Sequence, residues 1–186
     1  LESFTKLPAI LINTDNKSDV TSKEEYVEGQ LTFIGNNYKD PFYMKKIKIR
    51  GRGNHTWQQP KKPYQLKFDK KKSLLEMSAD KKWIFLANYV DKTMARTAIA
   101  FELGYLSNLN WTPKHDFIEL FLNDSYKGTY QITEKVEEDD HRVNIGSNGY
   151  LIEVDQLDRM KSDDVYFKTD KLLFNIKSPE ININSS

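Results

Sequence analysis

Between Ile47 and Lys72 the chain reads IKIRGRGNHTWQQPKKPYQLKFDKKK, and six firm cations precede the first acid, Asp69. They are Lys48, Arg50, Arg52, Lys61, Lys62 and Lys67, and His55 adds a further charge only when protonated. Gly51 and Gly53 lie among them, and such glycines let a backbone turn tightly and present its N–H groups. Cations beside a glycine turn are what an anionic ligand needs, most simply a phosphate. The plain alternative is a solvated hairpin kept soluble by its lysines, and the short turn alone does not decide between them.

Two strands must position these side chains. Ile47 and Ile49 alternate with Lys48 and Arg50, the pattern of a half-buried strand. Pro60 and Pro63 bias the loop to extended conformations. Beyond them Tyr64, Leu66 and Phe68 face one way, and Gln65 and Lys67 the other. Residues 7–14 (LPAILINT) and 28–34 read as further strands, with turns at 15–18 and 35–41. Residues 70–72 form a solvated charge run, 74–77 a turn of helix, and 83–86 a compact apolar segment.

Asp91 is a suitable N-cap for a helix over 92–103, which Gly104 would end. At 100° per residue, Met94, Ala95, Ala98, Ile99, Phe101, Leu103 and Leu106 fill one arc, and Glu102 falls in its middle. A carboxylate on a buried stripe is costly unless a cation meets it. The spacing therefore predicts that Glu102 pairs with Lys67, with Arg50 as second choice; the alternative is a rotated helix whose Glu102 reaches water. Residues 116–122 and 128–133 read as strands of a hairpin turned by Asn123 and Asp124. The tract 134–142 (EKVEEDDHR) is a solvated acidic loop or, as the minority reading, a divalent-metal site. Residues 150–154 and 172–176 are the last strands, and ININSS at the end is weakly specified.

The 186 residues are 38% hydrophobic and 12% aromatic, enough for a core and unlike a disordered chain. A net charge of +1 gives no global field for nucleic acid, and no recognition motif is present, so no nucleic-acid partner is expected. The chain has no cysteine and no apolar run near the roughly 18 residues of a membrane span, so no span is expected, and no signal peptide is visible in these residues. It begins at Leu1, as expected of a processed or trimmed protein. His55, His115 and His141 lack helical HxxxH spacing and read as loop or surface histidines. Among the aromatics Tyr38, Tyr43, Trp57, Tyr89, Trp111 and Tyr126, Trp57 is the first candidate for stacking on a sugar or a partner.

Several segments taken together resemble the CotH family, named for a spore-coat protein: RGRGN-x-x-W with KKPY, then LANYxDKTxxR, ELFLN-x-x-YxGxYxxTEK, GYLIEVD and FNIKSPE. The resemblance runs in order from about Leu7 to Glu180. It implies an atypical protein kinase that binds ATP with Mg²⁺ or Mn²⁺ and transfers phosphate to protein Ser or Thr. The alternative within the same family is a non-catalytic coat or surface module that binds protein or carbohydrate. It also implies an α+β, divergent protein-kinase-like fold, a mainly antiparallel twisted sheet with one principal packed helix. A secreted or cell-surface location in a bacterium is expected.

By the same resemblance, Arg50, Gly51, Arg52, Gly53, Asn54 and Lys62 would surround the phosphates, with Lys67 as the strand lysine and Glu102 as its helix partner. Thr133 and Glu134 would link two lobes. Asp155 would hold metal, and Glu137 or Asp139 would serve as the catalytic acid. Arg50 and Arg52 crowd the turn more than an ordinary nucleotide loop does, and no clear second metal motif follows Asp155. A single domain over residues 1–186 is expected, as a fragment or shortened version of the full family domain.

Overall fold

The structure, a computed structural model, describes residues 5–35 and 41–180. The chain divides into two compact units, Leu1–Lys135 and Val136–Ser186.

The first unit is a closed seven-stranded barrel. Its strands are β1 (Ala9–Thr14), β2 (Val27–Ile34), β3 (Phe42–Gly51), β4 (Tyr64–Lys72), β5 (Asp80–Leu86), β6 (His115–Leu122) and β7 (Ser125–Glu134). They run in the order β1-β2-β3-β4-β5-β7-β6 around the barrel. Six neighbouring pairs are antiparallel, and a parallel pairing of β1 with β6 closes the ring. Alternation explains the interior: Ile10, Ile12, Leu31, Ile47, Ile49, Leu66, Phe68, Trp83, Phe85, Ile118, Leu120, Tyr130 and Ile132 form one buried cluster. Asn123 and Asp124 join β6 to β7 with φ of 52° and 64°, the two left-handed residues of a tight hairpin.

Among the described residues of this unit there are two α-helices. α1 (His55–Gln58) is a single turn in the basic loop, and α2 (Arg96–Leu106) joins β5 to β6. Asp91 does cap this region, accepting the Arg96 N–H at 2.9 Å, but the helix begins five residues later. Gly104 lies inside it, buried against Thr112, where a Cβ would come within 2.6 Å of the hydroxyl oxygen.

The expected fold is overturned here. The regular structure is mostly strand, with the strands of the first unit closed into a barrel, and not a kinase-like α+β sheet covered by a principal helix. The physical reason lies in burial. Ile99, Leu103 and Leu106 of α2 are 56%, 62% and 84% exposed, and Gly104 is its one buried residue. The barrel buries its own apolar faces and leaves α2 little to cover.

The second unit holds β8 (Leu151–Asp155), β9 (Val165–Lys168) and β10 (Leu173–Ser178) in the antiparallel order β8-β10-β9. β9 has no strong alternation and was not expected from the sequence. The preceding acidic tract is pinned by Glu137, which accepts from the buried Arg142 guanidinium at 2.7 Å. The ININSS tail and residues 36–40 of the expected loop lie outside the described residues.

Candidate functional site

Because Ile47, Ile49, Leu66, Phe68, Trp83 and Phe85 point into the barrel, Lys48, Arg50, Gln65, Lys67, Lys82 and Ile84 stand on its outer face. Register aligns them. Lys48 is opposite Lys67, and Lys67 is opposite Lys82, so three lysines form a row across β3, β4 and β5. The next row runs Arg50, Gln65, Ile84, Thr133 and His115 across β3, β4, β5, β7 and β6. Like charges directly opposite repel, so this face is cationic at an electrostatic cost.

The cations differ in how they are held. Lys48 is closed off by Glu28 on β2 at 2.9 Å; the pair lowers the carboxyl pKa and raises that of the ammonium. Among the described residues neither Arg50 nor Lys67 is paired with a carboxylate. The Arg50 guanidinium lies 4.8 Å from the Tyr26 ring centre and the Lys67 ammonium 5.9 Å from it. Gln65 donates from its side-chain amide to the Tyr26 hydroxyl between them. Arg50 also donates to the Glu24 carbonyl at 3.4 Å, while its buried Nε meets no hydrogen-bond partner among the described residues. Arg52 titrates below the usual guanidinium range because burial penalises its charge and Arg50 repels it.

The glycine turn is a packed structure and not an open cradle. The Gly51 N–H donates to Ser22 O at 2.8 Å, and the Arg52 N–H to Pro63 O at 3.2 Å. The Trp57 indole lies on Gly51, where a Cβ would come within 2.3 Å of the ring. Gly53 has φ +84°, which favours glycine. Asn54 accepts the Trp57 N–H at 3.1 Å on its backbone oxygen. Lys62 donates to Trp57 O at 2.7 Å and lies over the indole. Lys61 donates to Thr129 O, with its ammonium over the Tyr130 ring, and burial lowers its pKa. Lys61 therefore fastens the loop to β7 of the barrel, while Lys62 ties the loop to itself.

Glu102 does not join this group. It is exposed on α2, and its charge acts on His115 and Tyr105. His115 lies on β6, three strands from Lys67, a spacing of roughly 14 Å at about 4.8 Å per strand. No ion pair joins Glu102 to Lys67 or Arg50 among the described residues. The helix that would carry the carboxylate onto the cationic face is instead held by Phe101, whose ring lies 5.3 Å from that of His115.

The segment from residue 49 to residue 183 matches the family model described as CotH kinase protein. The chain belongs to the CotH family. No match is found among curated proteins. In this CotH domain, Thr133 and Glu134 end β7, and the boundary between the two units follows at Lys135. Asp155 ends β8, accepts the Gln156 N–H at 2.8 Å and lies 3.6 Å from Arg159. Glu137 is engaged with Arg142, and Asp139 accepts the His141 N–H at 2.9 Å. Among the described residues no group of three or more His, Cys, Asp or Glu could hold a metal ion. Asp155 thus offers one carboxylate, which suits only an ion whose remaining ligands are phosphate oxygens and water. No described helix is long and apolar enough to cross a membrane.

Sequence reasoning assigned three of these residues no role. Lys82 was legible, since Trp83 and Phe85 are the apolar beats of an alternation that turns Lys82 outward. Gln65 was placed on the correct face but given no role. Tyr26 sits in a segment without periodicity, and nothing local marks it.

Proposed function

We propose that the outer barrel face binds the phosphate chain of ATP and that this CotH domain transfers the terminal phosphoryl group to a protein Ser or Thr hydroxyl. The observation that carries the reading is the pair Arg50 and Lys67, two adjacent cations that meet no carboxylate among the described residues. Lys67 and Arg50 would neutralise phosphate oxygens, and Arg52 would add to the local potential. In the second unit, Asp155 would be a ligand for Mg²⁺ or Mn²⁺ and an acid of the tract around Glu137 would take the acceptor's proton, the roles that the family resemblance implies for them. ATP would supply the phosphoryl group. Glu102, remote from Lys67, takes no part in holding that lysine. A binding-only coat or surface module is favoured less, because its candidate anchor Trp57 is spent on Gly51, Tyr64 and Lys62.

The test is transfer of labelled terminal phosphate from ATP to dephosphorylated casein, a Ser-rich acceptor, with Mg²⁺ or Mn²⁺. Incorporation by the wild-type chain and its loss in Lys67→Ala is the expected result. Equal incorporation by both would remove Lys67 from the reaction.

A further inference from the structure

Two modes of holding a cation coexist on neighbouring positions of this face. Glu28 grips Lys48 at 2.9 Å, and the pair is electrically neutral. Arg50 and Lys67 are gripped by an aromatic ring, which attracts a cation through its quadrupole and leaves its full charge available. The ring belongs to Tyr26, which precedes β2 and lies ahead of the family-matched segment 49–183. Arg50 pairs with Gln65, and Lys67 is two residues further along β4, so the two cations are diagonal neighbours, about 7 Å apart on a regular sheet. The Tyr26 ring centre stands within 5.9 Å of both charged groups. Gln65 fixes the Tyr26 hydroxyl from the floor of the same face. Ser22 and Glu24, from the same segment, accept from the Gly51 N–H at 2.8 Å and from Arg50 at 3.4 Å.

We propose that Tyr26 is a positioning residue: its ring gathers Arg50 and Lys67 into an un-neutralised dication that receives adjacent phosphate groups of a polyphosphate ligand. This rests on the phosphate-binding reading above and names the residue that prepares the site. Tyr26 touches no phosphate itself. It acts by keeping two long side chains ordered and adjacent before the ligand arrives, which lowers the ordering cost of binding. The hydroxyl is secondary and the ring is primary, so Phe should substitute for Tyr26 and an aliphatic residue should not.

The experiment is calorimetric titration of inorganic tripolyphosphate into the wild-type chain, Tyr26→Phe, Tyr26→Leu, Lys67→Ala and the Tyr26→Leu/Lys67→Ala double variant, each checked for an unchanged melting temperature. The expected outcome is binding by wild type, near-wild-type affinity in Tyr26→Phe, and affinity about tenfold weaker in Tyr26→Leu. The double variant should bind about as weakly as Lys67→Ala, without the further tenfold loss that independent residues would give, because the two residues act as one unit. Binding by wild type that is lost in Lys67→Ala but unchanged in Tyr26→Leu overturns the role of Tyr26 and leaves the phosphate site standing. No binding by wild type overturns both. If Tyr26→Leu melts early, Tyr26→Trp, which keeps an aromatic face, replaces it as the comparison with Tyr26→Phe, and weakened binding in both ring-bearing variants contradicts the proposal.

Discussion

Lys48 and Lys67 face each other across β3 and β4, yet one is paired with a carboxylate and the other rests against an aromatic ring. That difference decides which of them can serve a ligand. The outward placement of both was legible from the alternation of Ile47, Ile49, Leu66 and Phe68. Their partners were not, because Glu28 and Tyr26 come from a distant segment whose register no local pattern sets. The glycines show the same limit. Gly51 reads as a ligand-binding turn in the sequence, while in the structure it makes room for the Trp57 indole. Gly51→Ala should therefore destabilise the fold by about 1–3 kcal/mol, the usual cost of overpacking. Urea denaturation measures it, and an unchanged midpoint would show that Trp57 moves aside freely.

At the scale of elements, most strands of the barrel were anticipated within a few residues, since period-two alternation marks them directly. The hairpin at Asn123 and Asp124 was found because its two residues tolerate positive φ. The helix was found, but its face was misread. A helical wheel shows where apolar residues cluster and not whether anything covers them, and Ile99, Leu103 and Leu106 of α2 are exposed. The amides of α2 should accordingly exchange with deuterium faster than those of β6 and β7 that flank it in sequence. Equal protection would mean that α2 is docked far more firmly than its burial indicates.

His115, beneath Phe101 of α2, adds a pH dependence. Burial lowers its pKa, while Glu102 and Asp116 act in the opposite direction. The folded state thus binds the proton less readily than the unfolded chain, whose histidine titrates near about 6.5. The stability tied to neutral His115 is fully present above that value and is lost as the pH falls through the depressed folded one. The urea midpoint should decline between about pH 7 and about pH 5, and decline less in His115→Gln. Identical slopes in the two proteins would assign the decline to other groups.

For the whole molecule, the sequence carried the family and missed the architecture. Membership shows in ordered local segments, whereas barrel closure depends on the parallel pairing of β1 with β6, residues over a hundred positions apart that no local pattern announces. In the chain's second unit Asp155 and Glu137 are each engaged by a neighbouring arginine. The central claim is that the outer barrel face holds phosphate through Lys67. Calorimetric titration of ATP, with and without Mg²⁺ or Mn²⁺, into the wild-type chain and Lys67→Ala tests it most directly. Metal-dependent binding by the wild-type chain that disappears in an equally stable Lys67→Ala is the predicted result. Equal binding by the two proteins, or none by the wild type, would contradict it.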